Sequence, residues 1–189
     1  MEKQVTTDLS SVQVWDNYLD DGFLVNLDED SNHYSWQLNN VANRKSFPYK
    51  RKGSHLFWSS GFPSLEKSPK NISNLYNFII KEVVQSSFNL EGIMLNGQSL
   101  GQNGTTHIDN YYNDGYRTLM VFINHKWQKE WGGEFQLLEE IDNNSKIIKT
   151  IEYIPGRIII FDGNIPHRGL SPIEPYILRK SLIFRLKSL

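Results

Sequence analysis

The stretch Thr105-Thr106-His107-Ile108-Asp109-Asn110 decides how the chain is read, together with His167 far downstream in Phe161-Asp162-Gly163-Asn164-Ile165-Pro166-His167. Side chains of an extended chain alternate with period two, so His107 and Asp109 share a face. Gly163 and Pro166 turn the chain just before His167, which suits a residue at the end of a second strand. Two imidazoles and one carboxylate brought together make the pattern that holds Fe(II) on one side and leaves coordination positions open for reactants. A lone His-X-Asp is common by chance; its weight comes from its surroundings. His33, His55 and His125 have no comparable flanks, and His125, at a strand end beside Lys126, reads as a solvated residue.

Around this stretch the chain punctuates itself into short strands. Residues 93–98 lead into the turn Gly101-Gln102-Asn103-Gly104, and residues 117–124 read as a buried strand. Trp131-Gly132-Gly133 turns into 134–138, and Asp142-Asn143-Asn144-Ser145 closes a hairpin to 147–153. Pro155-Gly156 opens 157–161, and residues 171–175 turn into 179–186. Strands at near-regular spacing with turn chemistry between them predict a mainly β domain of the jelly-roll, cupin-like kind.

Residues 1–91 add flanking helices, for an α+β whole. Residues 1–11 are polar, 12–15 alternate like a first strand, and 20–27 suit a short helix with an acidic start. From 31 to 68 no period is sustained. Gly53, Gly61, Pro48 and Pro63 interrupt Trp36, Phe47, Tyr49, Phe57, Trp58 and Phe62. An irregular aromatic stretch over 44–64 suits either a lid over a binding site or rings packed on the core. Ser68-Pro69 reads as a helix start, with Ser as cap and Pro in the first turn. Ile72, Leu75, Tyr76, Ile79 and Val83 then make one apolar stripe, predicting a helix over 70–87 packed across a sheet. The expectation is a single domain over 1–189, with N-terminal helices and loops in 1–91 and a jelly-roll core in 92–189.

Composition sets limits. With 20 basic and 21 acidic residues, the chain offers no bulk electrostatic attraction for a polyanion. The absence of cysteine excludes disulfides, iron–sulfur clusters and thiol catalysis. No run of about 18 apolar residues and no apolar leader segment is present, so a cytoplasmic protein without a membrane partner is expected.

On the last strand Arg179 and Ser181 are two apart, sharing a face with Ile183 and Arg185. If that face turns inward, a buried guanidinium needs an anionic partner and can clamp a carboxylate. The opposite parity would instead bury Leu182 and Phe184.

Taken in order, His107-Ile108-Asp109-Asn110, Asn113-Asp114-Gly115, Asn124-His125-Lys126-Trp127, Trp131-Gly132-Gly133-Glu134-Phe135, Pro155-Gly156-Arg157, Phe161-Asp162, His167 and Arg179-Lys180-Ser181 resemble the Fe(II)/2-oxoglutarate-dependent dioxygenases. The likeness runs over residues 92–187 and is nearest their prolyl 4-hydroxylase-like branch. It implies a double-stranded β-helix in which His107, Asp109 and His167 are catalytic and hold the metal. It further implies that Arg179, aided by Ser181, binds the distal carboxylate of 2-oxoglutarate. The implied cofactors are Fe(II) and 2-oxoglutarate as co-substrate, with ascorbate as a candidate accessory. The implied reaction is hydroxylation of a C–H bond by O2, most simply on a prolyl or other peptidyl or amino-acid residue of a peptide or small-molecule substrate. Succinate and CO2 are the co-products. Many prolyl hydroxylases add a tyrosine hydroxyl from the strand after His-X-Asp; here that strand carries Phe122, and Gln98 and Thr118 are the candidates to replace it. The six-residue spacing of Arg179 and Arg185 resembles the nucleic-acid demethylases of the same superfamily, a second reading. A cupin-like hydrolase or isomerase using the same ligands with another metal is a third.

Overall fold

The computed structural model describes residues 9–42, 55–110 and 115–189. Most of the aromatic 44–64 stretch lies outside the described residues, as do residues 111–114, which include Asn113 and Asp114 of the family resemblance. The elements in order are β1 (Gln13–Trp15), α1 (Asp21–Ser31), β2 (Gln37–Asn40), β3 (Phe57–Phe62), α2 (Lys70–Phe78), β4 (Phe88–Gln98), β5 (Tyr116–Phe122), β6 (Phe135–Leu138), β7 (Ile147–Ile151), β8 (Ile158–Asp162), β9 (His167–Gly169) and β10 (Arg179–Ser188).

The strands form two antiparallel sheets, β1-β8-β5-β10-β4-β3-β2 and β7-β6-β9. This is the double-stranded β-helix that the strand punctuation predicts. Sequence reading missed β2 and β3, because Gln37–Asn40 and Phe57–Phe62 lack a clean polar/apolar alternation; they extend the larger sheet beyond β4.

Two cores flank the larger sheet. On one side Ile72, Leu75, Tyr76, Ile79 and Val83 pack against Ile93, Leu95, Leu119, Val121, Leu182 and Phe184. On the other, Met120, Phe122, Ile159, Phe161 and Ile183 meet Phe135, Leu137, Ile151 and Tyr153 of the smaller sheet's side. A strand covered on both faces buries both parities, which dissolves the choice posed for β10. Leu182 and Phe184 face the helix while Arg179, Ser181 and Ile183 face the inter-sheet space, and all five are buried.

Local chemistry sets the helix ends. Asp20 caps α1 by accepting from the Phe23 amide at 3.0 Å. Ser68 does not cap α2: its hydroxyl donates to the Leu65 carbonyl at 2.7 Å, and Pro69 occupies the cap position with no side-chain bond. The apolar stripe is buried as expected, but the α-helix stops at Phe78. A π-helical turn, Ile79–Val84, continues it to Gln85, whose φ of 53° ends the run.

His125 is half-buried and paired, not a free solvent-facing side chain. Asp28 of α1 accepts from its backbone amide at 2.8 Å and meets its Nδ1 at 2.6 Å. The same carboxylate pairs with the buried Lys180 Nζ at 2.5 Å, tying α1 to β10 beside Arg179. Among the described residues no helix is long and apolar enough to cross a membrane.

Candidate active site

His107 lies in the connection between β4 and β5, where it forms a two-way backbone bridge with His167 of β9: His107 N donates to His167 O at 3.0 Å, and His167 N to His107 O at 2.9 Å. That bridge lays the two imidazoles side by side, ring centroids 4.3 Å apart. Asp109, two residues on, is held by its own amide to the Gly163 carbonyl at 2.7 Å. One ligand atom from each of His107, Asp109 and His167 lies within 4.8 Å of the others. His107 Nε2 sits 3.5 Å from Asp109 Oδ1, and His167 Nε2 sits 3.6 Å from Oδ2.

The chemistry of this donor set fits a divalent metal. In both histidines Nδ1 donates to a backbone carbonyl two residues earlier, Thr105 O at 2.9 Å and Ile165 O at 2.7 Å. A carbonyl can only accept, so the proton is on Nδ1 and the lone pair on Nε2, the orientation that ligating histidines need. Burial pushes the His167 imidazole down to about 4, so it is neutral at neutral pH, with no proton to displace from Nε2. Asp109 Oδ2 is engaged separately. The Thr118 hydroxyl donates to it at 2.5 Å, and the Arg185 guanidinium, bonded to the same hydroxyl at 2.9 Å, pairs with it too. Thr118 is therefore a partner of Asp109 and does not replace the missing tyrosine.

Deeper along β10 lies Arg179, fully buried. Its Nε donates to the Gly133 carbonyl at 2.7 Å, and its Nη1 to Gln98 Oε1 at 3.0 Å and Ser181 Oγ at 3.4 Å. Phe122 and Tyr153 hold the guanidinium between rings, each centroid 5.1 Å away. Burial lowers its pKa to about 10, so it is charged at neutral pH. These hydrogen-bond partners are neutral, the Glu134 carboxylate acts on the guanidinium only through space, and Nη2 is buried with no hydrogen bond. A buried cation with one donor unsatisfied is costly unless an anion meets it, and the chamber it faces is lined by the same His107, Asp109 and His167. Gln98, steered by donating to Gln102 O and Gly169 O, presents its acceptor to Arg179 and lines that chamber.

The chamber, about 70 Å³, is walled by Met120, Phe135, Phe161 and Ile183. It opens past His107, Asp109 and Arg185 into an outer cavity of about 820 Å³ under β3 and β4. The six residues singled out from the sequence, His107, Asp109, His167, Arg179, Ser181 and Gln98, all line this chamber. What sequence reading missed is the engagement of Thr118 and Arg185 with Asp109; the period-two face shared by Arg179 and Arg185 was the available signal.

The family model described as the 2OG-Fe(II) oxygenase superfamily matches residues 93–184, just under half of the 189-residue chain, and spans His107, Asp109, His167 and Arg179. Over those residues the chain is similar to the 2OG-Fe(II) oxygenase superfamily. The cofactors of that superfamily are Fe(II) and 2-oxoglutarate, and the His-Asp-His cluster and the unsatisfied Arg179 donor fit both. Among solved structures, the chain is similar to a prolyl hydroxylase from Trichoplax adhaerens in complex with a hypoxia inducible factor oxygen degradation domain peptide fragment. That match has TM-score 0.69 and 17% identity, covering 94% of this chain and 84% of the other. A Pseudomonas putida prolyl-4-hydroxylase matches with TM-score 0.61 and 11% identity over 95% and 93% of the two chains. The carbocyclase SnoK from nogalamycin biosynthesis matches with TM-score 0.64 and 7% identity over 94% and 79%. At these identities the likeness is one of fold, shared by enzymes of different chemistry. No curated protein matches the chain.

Proposed function

We propose that residues 1–189 form one catalytic domain, an Fe(II)- and 2-oxoglutarate-dependent hydroxylase acting on a C–H bond of a prolyl or other peptidyl or amino-acid residue. The observation that carries this reading is the shared chamber: His107, Asp109 and His167 converge at one side, and Arg179 offers an unpartnered buried donor at the other. His107 Nε2, His167 Nε2 and an Asp109 oxygen would hold the iron. Arg179, with Gln98 and Ser181 fixing its guanidinium, would take the distal carboxylate of 2-oxoglutarate.

Bound Fe(II) supplies the activation of O2 that couples oxidative decarboxylation of 2-oxoglutarate to oxygen insertion. One oxygen atom ends in the substrate hydroxyl, the other in the new carboxylate of succinate, and CO2 leaves. The protein's own contribution is placement. The Thr105 and Ile165 carbonyls keep both imidazoles in the ligating tautomer, and Met120, Phe135, Phe161 and Ile183 keep bulk water from the reacting atoms. The outer cavity, wide enough for a side chain with its flanking backbone, leads to the metal side of the chamber and is where substrate would enter.

Prolyl chemistry is favoured by the recurrence of prolyl hydroxylases among the similar folds. The test is to incubate the protein with Fe(II) and 2-oxoglutarate and screen proline-containing peptides, free amino acids and methylated oligonucleotides by mass spectrometry. Gain of one oxygen by a peptide, with stoichiometric succinate, is the expected result. Oxidative demethylation of the oligonucleotide alone would move the reading to nucleic-acid repair, and absence of succinate under all conditions would overturn it.

A further inference from the structure

We propose that Arg185 is a positioning residue that, with Thr118, locks Asp109 as a one-oxygen metal ligand. This rests on the metal-ligand reading of His107, Asp109 and His167 and assigns a role that the reading leaves open.

The sequence prepares the contact through an irregularity in β4. Its helix-facing residues are Phe88 and Leu90, then Ile93 and Leu95, so the period-two phase slips between Leu90 and Ile93. The pairing slips at the same place: Arg185 is opposite Gly92, but Leu186 is opposite Leu90, which leaves Glu91 as an extra residue in β4. A bulge of this kind bends a strand and re-aims the side chains around it. Across the strand pair, a Cβ at Gly92 would lie 3.9 Å from Arg185 Cβ and Cγ, so the stem of Arg185 runs over bare backbone.

On its other side β10 pairs with β5, where Arg185 is opposite Thr118. Arg185 Nη1 thus meets both Thr118 Oγ1 and Asp109 Oδ2, while Thr118 donates its own proton to that same oxygen. Two donors converge on Oδ2. Oδ1 carries neither of these donors and lies 3.5 Å from His107 Nε2, while the doubly bonded Oδ2 lies 3.6 Å from His167 Nε2. A carboxylate with one oxygen saturated by donors offers the other to a metal, and the coordination position that a second carboxylate oxygen would fill stays open for a reactant. The Asp109 side chain and Thr118 are almost wholly buried, so the bond between them is shielded from water, while the Arg185 side chain is 40% exposed and its pair with Asp109 is partly screened. Arg185 itself lines both the chamber and the outer cavity, at the boundary between them.

The experiment is titration of the metal-free protein with Co(II), read by its visible absorption, for wild type, Arg185→Met, Arg185→Lys and Thr118→Val. Thermal unfolding is recorded alongside. Partners of metal ligands are typically worth roughly 10–100-fold in metal affinity. Arg185→Met and Thr118→Val are each expected to weaken Co(II) binding by about that factor and to alter the absorption envelope, which reports coordination geometry. Arg185→Lys should restore part of the affinity, and the 2-oxoglutarate KM at saturating metal should stay near wild type. Thr118→Val nearly conserves side-chain volume and removes only the hydroxyl, so it supplies the test where the melts show Arg185→Met to be unfolded. Co(II) affinity and spectra within twofold of wild type in both folded variants would overturn the proposal. If wild type itself binds no Co(II), or His107→Ala binds it as well as wild type does, the ligand assignment has failed instead.

Discussion

Replacing Arg179 by methionine separates the two halves of the site. Methionine keeps most of the volume between Phe122 and Tyr153 and removes only the charge and its donors. In wild type three donor contacts to Gly133, Gln98 and Ser181 hold the guanidinium in place, and Nη2 remains for the ligand. Truncating one partner of a buried, hydrogen-bonded charge pair costs roughly 2–5 kcal/mol in binding. At about 1.4 kcal/mol per factor of ten, a loss near 3 kcal/mol raises the apparent KM for 2-oxoglutarate by on the order of a hundredfold. The assay is initial succinate formation against 2-oxoglutarate concentration, with Co(II) titration of the same preparation. The metal Kd should stay within a few-fold of wild type, because the bonds Arg179 makes run to Gly133, Gln98 and Ser181. A folded Arg179→Met protein with an unchanged KM would refute the assignment of the carboxylate clamp. Loss of metal binding in parallel would show that the two halves are not separable.

Three further outcomes follow from the same geometry. His107→Ala and Asp109→Ala should each remove metal binding and reduce metal-dependent 2-oxoglutarate turnover to background; full retention in either would defeat the ligand set. Gly133→Ala should destabilise the fold by about 2 kcal/mol or more in denaturant unfolding, because φ at 133 is +81° and a Cβ there would lie 2.8 Å from the Trp127 ring and 3.2 Å from Arg179 Cδ. Its KM for 2-oxoglutarate should rise as well, and wild-type stability with wild-type KM would contradict the packing described. The metal-free protein should lose stability as pH falls from about 6.5 toward 4. Burial holds the His167 pKa near 4 against an ordinary 6.5, so the unfolded chain takes up the proton first and the folded state keeps its full stability only above 6.5. Thermal melts of His167→Gln should show a shallower fall over that window, and an identical slope would count against it.

Much of the site was legible because its residues lie at strand spacing in the sequence. His107 with Asp109, and Arg179 with Ser181, are each two apart, and the alternation of an extended chain places them before any tertiary information is needed. Which face of β10 turns inward was not legible, since Arg179 and Phe184 are both buried and only the two-sided packing shows that both parities are inside. His125 was misread because its partner Asp28 lies on another element, α1. Strands β2 and β3 escaped notice because their neighbours are the turn-rich residues around Gly53, Gly61 and Pro63, and Gln37–Asn40 carries polar side chains on an outer strand. The contact of Arg185 and Thr118 with Asp109 depends on strand pairing across β5 and β10 and on a bulge in β4, neither of which is local in sequence.

The most direct measurement is a crystal structure grown without oxygen in the presence of Fe(II) and 2-oxoglutarate, with anomalous scattering recorded at the iron edge. The prediction is a single strong peak bonded to His107 Nε2, His167 Nε2 and an oxygen of Asp109, with the distal carboxylate of 2-oxoglutarate on Arg179 Nη2. Iron bound elsewhere, or a keto-diacid that leaves Arg179 untouched, would contradict it.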